Sequence, residues 1–201
     1  MSTNQLLLQM LRYQAWANEE FLEAMKGLHV EHHAEERNQA LRLMNHCLRV
    51  SQIFAAHLVG KSHGLTTDDP LEPPALEVLH SGIVTVDHWY LDYMDTIAPT
   101  LLSEAVPFVF TDGDKGYMTR EEMLTHVVIH NGYHRGEVGR LMIQAAARTG
   151  ASVQVPWDRS CAMGTEPSAR TGASMQVPWD TYAVHLHCTE PARRLQGGEP
   201  N

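Results

Sequence analysis

"HVVIHNGYHRGEVG", residues 126–139, places histidines at 126, 130 and 134 inside a run whose apolar residues recur with the period of a helix. Reading outward, Met123, Val127, His130, His134, Val138 and Leu141 fall on one stripe. Upstream, Thr119-Arg120-Glu121-Glu122 has the form of a capping box. The spacing predicts a helix over about 119–148, closing before Gly150, with imidazoles on the face where leucines would ordinarily pack. Residues four apart on a helix project from the same side, so His130 and His134 can reach one ion. Burying two neighbouring imidazoles without a shared partner is costly, and a metal satisfies both.

Three more segments show helical period. The first, about 4–28, is read with Leu6, Met10, Tyr13, Ala17, Phe21, Ala24 and Leu28 inward. The second, about 34–60, carries Leu43, His46, Val50, Ile53 and His57 at steps of three and four. The third, about 75–102, runs Leu76, Leu79, Ile83, Asp87, Tyr90, Met94, Ile97, Leu101. Residues 60–75, "GKSHGLTTDDPLEPPA", read as a loop. In "VPFVFTDGDKGYMT", residues 106–119, the alternation of Val106, Phe108 and Phe110 ahead of Asp112-Gly113 predicts a β-hairpin. Asp112 and Asp114 lack the closing glutamate of a calcium loop, so an ordinary turn is expected. The fold class is all-α: a four-helix bundle with a small hairpin between helices three and four.

The bundle is assigned to 1–148 and a mostly irregular tail to 149–201. In that tail "RTGASVQVPWD" (148–158) recurs as "RTGASMQVPWD" (170–180). Two copies are too few for a solenoid and read as a tandem duplication. The second copy retains the alternation Tyr182, Val184, Leu186 and is expected to be the packed one. Three cysteines without CxxC spacing argue against a disulfide framework or a thiolate zinc site and fit a reducing cytosol. A net charge of −9 with only 15 Lys and Arg argues against nucleic acid or an anionic membrane as partner. The N-terminus has no signal-peptide pattern and no apolar run spans a bilayer, so a cytoplasmic protein is expected.

His46 lies on the inward stripe of its helix, so two helices can present three neutral imidazoles, His46, His130 and His134, to one ion. Three histidines with an open fourth position is the pattern of a catalytic metal site. Zn, Ni, Fe and Cu all suit such donors. His57 and His126 are read as core or rim histidines, with a role as outer partners left open. Asp87, a carboxylate within an apolar stripe, either supports catalysis by orienting a histidine or acting as a base, or pairs with Arg49, Arg135 or a tyrosine for packing. A di-iron bundle would need Glu-x-x-His on two helices, and only Glu77-Val-Leu-His80 is present. HExxH and a phosphate-binding glycine loop are missing from the sequence.

"YQAWANEEFLEAM", "MNHCLRVSQIFAAHLVG", "VDHWYLDYMD", "FTDGDKGYMTREEMLTHVVIHNGYHRGEVGRLM" and "VPWDTYAVHLH" together resemble the DinB/YfiT family of metal-binding four-helix bundles, over roughly 5–148 and 171–194. (The DNA polymerase sharing the DinB name is unrelated.) The resemblance implies that His46, His130 and His134 are the ligands of a divalent transition metal and that the protein is a homodimer. Ser51 stands where the family commonly has an aspartate in helix two, and 149–170 is not expected in the family. Several members resemble S-transferases or isomerases that use mycothiol, bacillithiol or glutathione. A thiol-dependent transferase acting on a small-molecule substrate is therefore expected. The alternatives are a metal-dependent hydrolase with Asp87 as base and a non-catalytic metal-binding, stress-associated protein.

Overall fold

The structure, a computed structural model, describes residues 1–110 and 113–149. The expectations for Asp112 and for the tail from Gly150 onward, including the choice between repeat copies, lie outside the described residues. Four helices form: α1 (Thr3–Met25), α2 (Ala34–Leu58), α3 (Leu76–Thr96) and α4 (Arg120–Thr149). Between the last two lie strands β1 (Ala105–Val109) and β2 (Lys115–Thr119). The strands pair antiparallel with Val106 opposite Met118 and Phe108 opposite Gly116. Val106, Phe108 and Met118 point into the core, while Ala105, Pro107 and Val109 face out, as alternation requires.

Local chemistry explains most element ends. At α1, the Ser2 hydroxyl accepts from the Gln5 amide while the Gln5 side chain accepts from the Ser2 amide. At α4, the Glu122 amide donates to Thr119 Oγ1 at 3.2 Å and the Thr119 amide donates to Glu122 at 2.7 Å, as the capping-box motif predicts. Helix α2 gives way at Gly60, whose φ of +65° is cheap only for glycine. Helix α3 stops at Thr96, short of the expected 102. Pro99 disfavours helical geometry at Ala98, and the chain re-enters only as a 3-10 turn over Pro99–Leu101.

Each helix has two principal neighbours: α1 packs on α3 and α4, and α2 packs on α3 and α4. The interior is filled by fully buried residues such as Leu22, Met44, Leu79, Tyr90, Met123 and Leu124. Burying each large apolar side chain contributes about 1.5–3 kcal/mol. Helices α2 and α3 approach closely at Gly82, where a Cβ would stand 2.8 Å from Leu48 Cδ2.

The inward stripe of α1 differs from expectation in its first half. Leu7, Leu11 and Gln14 are buried there, whereas Leu6 and Tyr13 are 44% and 58% exposed. From Ala17 through Phe21 the expected face is correct. The rotation brings two amide side chains, Gln14 and Asn18, into the core, where they serve Asp87.

Candidate metal centre

The stripes of α2 and α4 meet along their shared interface and bring His46, His130 and His134 together. One ring nitrogen from each lies within 4.8 Å of the others. The Nε2 atoms of His46 and His130 are 3.0 Å apart, and the three ring centroids are separated by 4.6 to 5.0 Å. Three nitrogens on one tetrahedral ion stand about 3.3 Å from one another, given metal–nitrogen bonds of about 2.0–2.1 Å. The spacing fits the group.

Neighbouring groups set the protons. His46 Nδ1 lies 3.0 Å from the Asp68 carbonyl, which only accepts, so Nδ1 carries the hydrogen and Nε2 offers its lone pair. His134 Nδ1 lies 2.6 Å from Glu137 Oε2 and donates to it, freeing its own Nε2. Burial holds the His130 ring far below the ordinary histidine range, reinforced by His126, His134 and His46. Burial also lowers His134, against the opposing pull of Glu137. Neutral imidazoles with converging lone pairs are what a divalent transition metal requires.

A cavity of about 380 Å³ opens over these rings. His46 and His134 line it together with Arg42, Asp68, Asp69, Glu137 and Arg140. His130 is buried beside them. Among the described residues, the ligand group includes no carboxylate or thiolate.

Asp87 is buried, but its contacts differ from a direct bond to a ligand ring. It accepts from Gln14 Nε2 at 3.2 Å and from Asn18 Nδ2 at 2.8 Å. Asn18 Oδ1 in turn accepts from Arg135 at 2.8 Å, so the carboxylate reaches α4 at the residue following His134. Burial raises the Asp87 pKa, with the Asn18 and Gln14 hydrogen bonds opposing. Arg49, one partner considered for Asp87, instead donates to the Thr67 carbonyl at 2.7 Å. Ser51, at the family's aspartate position, accepts from Asn131 Nδ2 through its hydroxyl and from Tyr90 through its carbonyl.

His57 and His126 lie outside the ligand set. His126 packs against Phe54 at 4.5 Å between ring centroids, and His57 against Phe108 at 5.3 Å. Sequence reasoning missed Glu137, the 67–69 loop and the pair Gln14 and Asn18. Glu137, three residues past His134, was the one with a readable signal, since i and i+3 are neighbours on a helix.

The class of protein is thus a four-helix bundle carrying a three-histidine cluster that could bind a metal, set between α2 and α4. The DinB family profile matches residues 1–167, and the chain belongs to the DinB family. The match runs through the first copy of the duplicated segment, where the resemblance alone suggested a break at 148. No curated protein matches the chain. Among the described residues no helix is long and apolar enough to cross a membrane.

Proposed function

We propose that the protein is a metal-dependent transferase in which a low-molecular-weight thiol, bound beside the three histidines, attacks an electrophilic small molecule. The observation that carries this reading is the convergence of His46, His130 and His134 beside an open cavity lined by His46 and His134, with no fourth donor in the group among the described residues. A divalent transition metal such as Zn, Ni or Fe supplies Lewis-acid chemistry there, lowering the pKa of a thiol or water. The Asp68 carbonyl and Glu137 hold His46 and His134 in the tautomers such an ion needs. A cavity of this size, lined by Arg42 and Arg140 as well as Asp68, Asp69 and Glu137, has room for a small molecule beside the rings. Cys47, the one cysteine among the described residues, is buried and its thiol is pushed up to about 12 by desolvation. Cys47 is therefore a poor source of a transferred sulfur, which the proposal assigns to a diffusible thiol.

Asp87 supports this site through Asn18 and Arg135, which tie α1 and α3 to the helix that bears two of the ligands. The working unit is taken to be a cytoplasmic homodimer. The test is a panel of electrophiles offered to metal-loaded protein with and without glutathione, bacillithiol and mycothiol. Consumption of both thiol and electrophile, lost in His130→Ala, is the expected result. Turnover without thiol would instead make the protein a hydrolase, and no turnover at all a binding protein.

A further inference from the structure

Three side chains of α2 hold three consecutive loop residues in reverse order. Arg42 pairs with Asp69 through hydrogen bonds of 3.0 and 3.3 Å. His46 Nδ1 donates to the Asp68 carbonyl at 3.0 Å, and Arg49 Nε donates to the Thr67 carbonyl at 2.7 Å. Positions 42, 46 and 49 advance by four and three, so all lie within about 60° of arc on one helix face. The loop is further tightened by the Asp69 amide, which donates to Thr67 Oγ1 at 3.2 Å. The same segment borders the cavity, because Asp68 and Asp69 line it.

We infer that residues 67–69 form a strap that sets the ring of His46, and that Arg42 and Arg49 are positioning residues for metal binding, acting through that strap. The argument is one of geometry. The Asp68 carbonyl is the acceptor that fixes the outer nitrogen of His46, and a loop carbonyl keeps its place only if its neighbours are anchored. Arg49 anchors the residue before it and Arg42 the residue after it. If either clamp is lost, the carbonyl drifts and His46 rotates. His134 on α4 keeps its own anchor, the hydrogen bond to Glu137 on the same helix. The inference rests on the metal reading of the three histidines.

The test exploits a difference in sign. Both arginines are cations on the face of α2 that carries His46, and removing a nearby positive charge on its own strengthens binding of a divalent cation. Loss of positioning weakens it, by about tenfold on the scale of groups that orient a metal-bound histidine. Arg49→Met and Arg42→Met are titrated with Co2+ against a chelating dye, with circular dichroism confirming the fold and the visible spectrum reporting ligand geometry. A weaker dissociation constant and an altered Co2+ spectrum in each, with recovery in Arg49→Lys, are expected. Unchanged or tighter binding with a wild-type spectrum overturns the inference, provided His130→Ala abolishes binding in the same assay. Wild-type protein whose Co2+ uptake is indifferent to His130→Ala overturns the metal reading itself, and the strap's role with it.

Discussion

Glu137 receives the Nδ1 hydrogen of His134 at 2.6 Å and borders the cavity, so one carboxylate both fixes a ring and lines the space beside it. Glu137→Gln keeps an acceptor but removes the charge that makes His134 a stronger donor to a metal. Metal affinity is expected to fall by about 10–100-fold in a competitive titration. An unchanged dissociation constant would show that the ring is held by packing alone. A second residue, Asn18, is placed to satisfy two buried charges at once, donating to Asp87 and accepting from Arg135. Asn18→Leu leaves both without that partner, and the expected loss is about 3 kcal/mol in a urea melt. A variant as stable as the wild type would mean that Asp87 and Arg135 find other partners.

At the scale of elements, the clearest local signal is the start of α4, where Thr119 and Glu122 exchange hydrogen bonds with each other's amides. Thr119→Ala is expected to cost about 1 kcal/mol in a thermal or denaturant melt, with metal content preserved. No loss of stability would show that β2 alone defines the helix start. This capping box was legible because its residues are contiguous, and the stripes of α2 and α4 were legible because apolar residues flank the histidines at regular steps. The inward face of α1 was legible only from Ala17 onward. In its first half, Gln14 is buried and Tyr13 exposed, and polarity alone assigns them the other way round. Gln14 is inward because Asp87 on α3 needs a donor, a fact written on a different helix. The strap was invisible for a similar reason: residues 67–69 have no periodicity, and their partners lie 18 to 27 residues away on α2.

For the molecule as a whole, the helix arrangement of α1 and α2 each touching α3 and α4 places polar groups across several interfaces, where they become sensitive to pH. Burial, helped by His63, lowers the pKa of His57 to about 4, and burial, helped by His46, lowers that of His126 to about 3. A folded pKa below the unfolded value of about 6.5 means stability that is fully present above that pH and is lost as pH falls toward the folded value. Between pH 6.5 and 5 each of these rings is expected to withdraw about 2 kcal/mol from the metal-free protein, read as a falling urea midpoint. His57→Phe should flatten that dependence, and an equally steep slope in the variant would assign the acid sensitivity elsewhere. Above all of this stands the claim that α2 and α4 meet in order to hold a metal. The direct measurement is elemental analysis of purified protein beside a His130→Ala/His134→Ala variant confirmed to be folded. The account expects about one divalent transition-metal ion per chain in the wild type and none in the variant. Equal metal content in the two proteins would contradict it.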